Sequence, residues 1–268
     1  IILVDDALAL NLGCKVMGSV ADVYTNADGI KKSITAPGPG NYITMAKSVA
    51  LAASVLGNEA VQQRSFILAH GSSTPQNRVT ESLIYHRVAQ SFNINDWPVA
   101  APKAFVGHTI GPASGDQVAM ALGIFSHRIM PGITTIDKVA DDVYAERLNI
   151  ATTHWHCHEM DVAFINSKGF GGNNATATVF SPEVTLSMMS KRHGRAAMLS
   201  YQDRLPEVEA AQAAYQVKAD NAEFELIYQF GQGVLTDEDL DIDAQHIAIK
   251  GFAHDIALAK NNPFEDMV

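Results

Sequence analysis

The chain has 268 residues, 47% of them hydrophobic, enough for one large domain or two small ones with a packed core and too apolar for disorder. Nineteen Lys and Arg against 29 Asp and Glu leave a formal charge of -10, which argues against a nucleic-acid or anionic-membrane surface. No apolar run approaches the roughly 20 residues of a membrane span, no secretory leader opens the chain, and Cys14 and Cys157 alone make no disulfide framework, so a cytoplasmic protein is expected.

In chain order, residues 1–4 read as the middle of a strand with no initiator Met, so the chain is expected to begin inside a larger protein. Residues 14–24 are Val-rich and alternate loosely, the pattern of a partly exposed strand with Cys14 in the core. TAPGPG, residues 35–40, is a turn. From Asn41 a helix is predicted with Ile43, Ala46, Val49, Ala50, Ala53 and Leu56 on its buried side, ending at Gly57 and Asn58. Phe66 to Ala69 run without a polar interruption, as a strand buried on both faces of a parallel sheet does. His70 and Gly71 end that strand, and Ser72, Ser73 and Thr74 follow. Pro75 and a cap at Asn77 then open a helix with Val79, Leu83, Ile84 and Val88 on one side. In α/β sheets ligands sit beyond the carboxyl ends of strands, so this His-hydroxyl loop stands where a binding site would be.

Residues 102–115, PKAFVGHTIGPASG, run from a short apolar segment through Gly107 and His108 into a helix whose stripe is Val118, Ala121, Leu122, Phe125 and Ile129. His154, His156 and His158 alternate, so a strand there would put three imidazoles on one face. No distant fourth ligand or motif supports that cluster, and no metal is expected. Residues 162–175 form a strand entering a Gly-rich loop, with residues 176–180 returning. From Ser181 the character changes: a basic cluster of Lys191, Arg192, His193 and Arg195, a polar helix around residues 207–217, a strand at residues 224–230, and an acidic run at residues 237–243 read as a solvated turn.

Three loops, each after an apolar strand, thus present a histidine with hydroxyls, a lysine followed five residues later by a histidine, and a glycine-rich turn around Phe170. Together they resemble the C-terminal half of a β-ketoacyl synthase, over about residues 1–180. HGSSTPQNR stands for the family's HGTGTPxND, Lys103 to His108 for KxxxGH, NSKGFGGNNA for NSFGFGGTNA, and TAPGPG for TAPxPxG. The resemblance implies a thiolase-like α/β/α/β/α layered sandwich, of which residues 1–180 supply the second half, with residues 181–268 as an extension of unassigned role.

The resemblance also implies the chemistry: acyl transfer from acyl carrier protein to a cysteine, malonyl decarboxylation, and Claisen attack, with no cofactor beyond the pantetheine arm of the substrates. His70 and His108 are implied as the N–H pair on the thioester oxygen. Lys103 is implied as a charged residue orienting the malonyl group, and Phe170 as the gate and part of the acyl oxyanion hole. Ser72, Thr74, Gly171 and Gly172 are implied at the pantetheine arm, and Glu81 as a supporting acid. The nucleophilic cysteine belongs to the family's N-terminal half, and neither Cys14 nor Cys157 has its strand-to-helix context. The expected partners are therefore that half, acyl carrier protein and a second copy in a homodimer, and this chain alone is expected to be inactive.

Arg78 stands where the family has Asp and Gln117 near its usual Glu, which alters the acidic surroundings expected for Lys103. Ser114 and Pro112 replace Gly and Ala after His108. The basic cluster reads as a charged surface loop, with docking of an acidic carrier protein as its functional alternative. Two other readings of the whole are a non-catalytic chain-length-factor partner, against which the retained His70, Lys103 and His108 argue, and a thiolase-like enzyme on coenzyme A thioesters, which would need a cysteine where the GFGG loop stands.

Overall fold

A computed structural model describes every residue except 33–36, 224–225, 227–228, 259–260 and 268. It separates into two compact units, Ile1–Ala210 and Ala211–Val268.

The first unit begins outside any helix or strand: residues 1–4 are exposed and are not the predicted strand. Asp5 accepts from Leu8 N at 2.8 Å and caps α1, Asp6–Leu12. The strand expected at residues 14–24 forms later, as β1, Ser19–Ala27. There follow α2, Gly40–Leu56, α3, Asn58–Gln63, β2, Ser65–Leu68, α4, Pro75–Ser91, and β3, Trp97–Ala100. Next come the short α5, Lys103–Val106, then α6, Ala113–His127, and three two-residue strands: β4, Ile129–Met130, β5, Leu148–Asn149, and β6, Trp155–His156. The hairpin β7, Val162–Gly169, and β8, Asn173–Phe180, leads to α7, Pro182–Asp220.

Six strands make one sheet in the order β1-β8-β7-β2-β3-β5, parallel from β7 to β5 and antiparallel from β7 to β1. The apolar run predicted for β2 lies at its centre, where Phe66, Ile67 and Leu68 are all fully buried, each worth about 1.5–3 kcal/mol. Strand alternation splits them. Ile67 joins Val49, Ile84, Trp97 and Phe164 under α2 and α4, while Phe66 and Leu68 join Ala121, Ile124 and Met160 under α6. Helices on both faces make this the layered α/β arrangement expected.

Two helix faces differ from the predicted stripes. In α2 the buried side is Asn41, Thr44, Met45, Ser48, Val49 and Ala52, while Ile43 is exposed. Polar residues win because they bond across to the sheet: Asn41 Nδ2 donates to Asn166 Oδ1 at 2.6 Å, Thr176 Oγ1 to Thr44 Oγ1 at 2.9 Å, and Ser48 Oγ to the Thr176 carbonyl at 3.1 Å. In α6 the buried set is Ala113, Gln117, Ala121, Ile124 and Phe125, whereas Ile129 lies past the helix on β4 and is exposed.

The predicted boundary at residue 180 is the end of the sheet, but the first unit continues to Ala210 because Ala9 and Leu10 of α1 close a small core with Met189 and Tyr201 of α7. Helix α7 is far longer than the one predicted around residues 207–217 and breaks at Gly194 (φ 77°, ψ 173°). The second unit holds a 3-10 turn, Asp237–Asp239, and a three-stranded antiparallel sheet of β9, Leu240–Ile242, β10, His246–Ile249, and β11, Ile256–Ala257. The acidic run is therefore partly a strand, though exposed as expected. Of the strand predicted at residues 224–230, residues 224–225 and 227–228 fall outside the described residues, as do the first two residues of TAPGPG. Among the described residues no helix is long and apolar enough to cross a membrane.

Candidate active site

The carboxyl ends of β2 and β3 and the tip of the β7–β8 hairpin meet around a cleft of about 740 Å³ lined by His70, His108, Ser114, Ser167, Lys168 and Asn174, among others. His70 follows β2, and His108 follows the α5 turn after β3. Their rings stand edge to face, 5.5 Å between centroids.

Each imidazole has its Nδ1 engaged by a backbone donor. Lys168 N reaches His70 Nδ1 at 3.4 Å, and Ile110 N reaches His108 Nδ1 at 3.1 Å. A ring that accepts at Nδ1 carries its proton on Nε2, so both histidines present an N–H donor. Burial pushes the His70 pKa down to about 4, with Glu81 opposing and Lys103, His108 and Lys168 adding to the fall, so the ring is neutral at physiological pH. Ile110 holds φ 64° and Ser73 φ 61°, left-handed values that cost a non-glycine residue on the order of 1–3 kcal/mol and lie in the two histidine loops.

Glu81, on α4 and fully buried by side-chain neighbours, accepts five hydrogen bonds: from His70 N at 2.7 Å, Gly71 N at 3.0 Å, Asn77 Nδ2 at 2.8 Å, Asn166 Nδ2 at 2.9 Å and the Tyr85 hydroxyl. Burial pushes its carboxyl up, but the bonds from Tyr85, Gly71 and Asn166 and the nearby His70 outweigh that and hold it below its ordinary range. Burial beside this carboxylate raises the Tyr85 hydroxyl well above its ordinary value. The predicted cap is corrected accordingly: Thr74, not Asn77, caps α4 by accepting from Asn77 N at 3.3 Å, which leaves the Asn77 amide for Glu81.

Lys103 opens α5 with its Nζ buried and, among the described residues, without a hydrogen-bond partner. Burial lowers its pKa, and Glu81 and Asp116 oppose that fall. The two substitutions noted in the sequence act differently from expectation. Arg78 is exposed and forms a two-pronged pair with Asp142, 2.9 Å on each arm. Gln117 donates from Nε2 at 2.9 Å to the carbonyls of Leu68, Ala69 and Asn166, which an ionised Glu could not do. The second acid near Lys103 is therefore Asp116, one position earlier in the chain.

Phe170 is at the hairpin tip, 93% exposed. It, Ser72, Thr74, Gly171 and Gly172 lie outside the lining of the cleft. The turn itself is tied down by Asp28, which was not singled out from the sequence. Asp28 N donates to the Gly172 carbonyl at 2.9 Å, and Oδ1 accepts from Gly40 N at 3.0 Å and Asn174 Nδ2 at 2.9 Å. Gly172 (φ 89°) has no room for a Cβ, which would sit 2.7 Å from both Asp28 Oδ2 and Lys31 Nζ, while Gly171 (φ 82°) faces open space. Gly171→Ala is expected to cost about 1 kcal/mol from backbone strain alone, and Gly172→Ala roughly 1–2 kcal/mol more. Urea midpoints of the two variants check the difference.

The three alternating histidines do not lie on one continuous strand. His154 Nδ1 accepts from Gly132 N at 3.2 Å, His158 Nε2 lies 2.7 Å from the Gln63 carbonyl, and only Trp155 and His156 are strand. Among the described residues no three metal-ligating side chains converge. In the basic cluster, Arg192 and His193 both contact Asp6 Oδ2 at 2.8 Å, and these bonds hold the Asp6 carboxyl down at about 2.

Residues 17–137 match a family model described as the beta-ketoacyl synthase C-terminal domain. The chain is 49% identical over 269 aligned residues to Beta-ketoacyl-[acyl-carrier-protein] synthase FabY of Pseudomonas aeruginosa, which covers 100% of this chain and 42% of that protein. A crystal structure of that ketosynthase superposes with a TM-score of 0.87 over 98% of this chain and 42% of its own. 3-Oxoacyl-[acyl-carrier-protein] synthase 2 of Synechocystis sp. is 34% identical over 174 residues, 63% of this chain and 38% of that protein. A β-ketoacyl synthase from Burkholderia phymatum shares the fold, with a TM-score of 0.51 at 22% identity over 65% of this chain and 40% of that one. The chain spans about two-fifths of the length of these relatives.

Proposed function

Because the chain belongs to the β-ketoacyl synthase family and corresponds to its C-terminal part, we propose that it supplies the enolate-stabilising half of a condensing enzyme of fatty-acid or related synthesis. The observation that carries this reading is the pair of Nε2–H donors on His70 and His108, whose rings stand edge to face at one cleft. The nucleophilic cysteine comes from an N-terminal half, which takes the acyl group as a thioester.

A malonyl thioester then enters with its carbonyl oxygen between the two imidazoles. As the bond to the carboxylate breaks, CO₂ leaves and the electron pair passes into an enolate whose oxygen gains negative charge. Donors fixed at that oxygen stabilise the transition state more than the neutral ground state. The enolate carbon attacks the acyl thioester, and the cysteine thiolate leaves as the new carbon–carbon bond forms.

Lys103 orients the malonyl group from beside the pair, and Glu81 fixes the His70 main chain. Phe170 gates the acyl pocket and its N–H serves the acyl oxyanion. Ser72, Thr74, Gly171 and Gly172 hold the pantetheine arm. The substrates arrive on acyl carrier protein, no resident cofactor takes part, and the enzyme works in the cytoplasm as a homodimer. The names of the relatives, synthases of acyl-carrier-protein substrates, support this reading. CO₂ release from a malonyl thioester by the protein together with its cysteine-bearing half tests it; no release above the uncatalysed rate would overturn it.

A further inference from the structure

The family motif NSFGFGG has an aromatic residue where this chain has Lys168. That exchange puts an amine into the wall of the cleft that holds both histidines. Lys168 lies near the end of β7, two residues past Asn166, and its main-chain N–H is the donor to His70 Nδ1 at 3.4 Å. The side chain is half-buried, and among the described residues its Nζ makes no hydrogen bond or ion pair. It is thus a cation without a direct ion-pair partner in the same cleft as a ring that must stay neutral.

We propose that Lys168 is a positioning residue for His70: its N–H selects the Nε2–H form of the ring, and its ammonium opposes uptake of a second proton. The inference rests on the reading of His70 as a donor to the thioester oxygen. An imidazolium would carry protons on both nitrogens, lose the Lys168 N–H contact and release the ring from its fixed orientation.

The charged groups acting on His70 are Glu81 on α4, Lys103 on α5, His108 before α6 and Lys168 on β7. Glu81 alone favours protonation, while the other three and burial oppose it. Burial lowers the Lys168 pKa, with Glu81 and Asp28 restoring part of it. Glu81 is common to both, so an acid beneath the pair supports one charge while the ammonium shields the ring from taking another. A phenylalanine would keep the main-chain contact and lack the field.

The experiment is a proton-detected titration of the protein labelled at histidine Cε1, beside the pH profile of malonyl-thioester decarboxylation by the whole enzyme. In Lys168→Met the His70 midpoint should rise by roughly one pH unit, the size of one like-charge interaction in a half-buried site. The acid limb of decarboxylation should rise with it, while Lys168→Arg keeps both where they are. Lys168→Gln serves as a second neutral variant if the Met protein does not fold. A His70 midpoint unmoved by both neutral variants overturns the inference. If the midpoint follows the charge but the unaltered enzyme releases no CO₂, the condensing reading falls and the Lys168–His70 coupling stands.

Discussion

His108→Ala is expected to lower malonyl decarboxylation by about 100-fold or more, the usual consequence of removing one donor from a developing oxyanion. His108 is exposed and, among the described residues, its ring accepts only from Ile110 N, so the unfolding free energy in urea should stay within about 0.5 kcal/mol of the unaltered protein. Separation of activity from stability makes it the cleaner of the two histidine tests. His70→Ala should lose activity to a similar extent and also some stability, because that ring is half-buried and joins the β7 main chain. The double variant should fall well short of the product of the two losses, since both donors serve one oxygen. Full decarboxylation by His108→Ala would remove the proposed role of the pair.

Glu81→Leu is expected to destabilise the protein by about 3–5 kcal/mol, the range for stripping one partner from a buried charged network. Five donors, two of them the N–H groups of His70 and Gly71, would lose this acceptor, and of these Asn166 Nδ2 keeps Asn41 Oδ1 as a second one. Glu81→Gln should cost less, about 1–3 kcal/mol, because one oxygen still accepts while the amide NH₂ opposes donors on the other side. Equilibrium unfolding in urea distinguishes the three proteins.

The pH dependence has a definite sign. The folded carboxyl lies below its ordinary value of 4.5, so its contribution is fully present above that pH and is lost as pH falls through the folded value. Glu81→Gln should flatten this acid loss; a stability curve of unchanged slope below pH ~4.5 would show that Glu81 does not contribute it.

What could be read from the sequence was set by apolar periodicity and short motifs. The β2 run, the β7–β8 hairpin and the loops of His70 and His108 all follow from unbroken hydrophobic stretches ending in Gly, and they stand where expected. The inward face of helix α2 escapes a hydrophobicity reading because it is Asn41, Thr44 and Ser48, which become core-compatible only when Asn166 and Thr176 bring partners from more than 120 positions away. A hydrophobicity pattern has no means of registering such pairings.

The same limit hid Asp28, whose ties to Gly40, Gly172 and Asn174 cross the fold. The crowding of small residues around it, with Gly38 and Gly40 in TAPGPG and Gly172 in GFGG, was the available signal. Asp116 was overshadowed by the departure at Gln117 next to it. The acid moved by one place in the chain, and a motif comparison registers that as a loss.

Gln117 has one more consequence. Its amide grips the Leu68 and Ala69 carbonyls at the end of β2 and the Asn166 carbonyl within β7, Ser114 on the same helix reaches Ser167 at 2.8 Å, and the His108 loop runs directly into the start of that helix. Helix α6 is thereby a shared mount for both imidazoles: a tilt of the helix carries the two rings along together, so their spacing is protected from breathing of the outer layer.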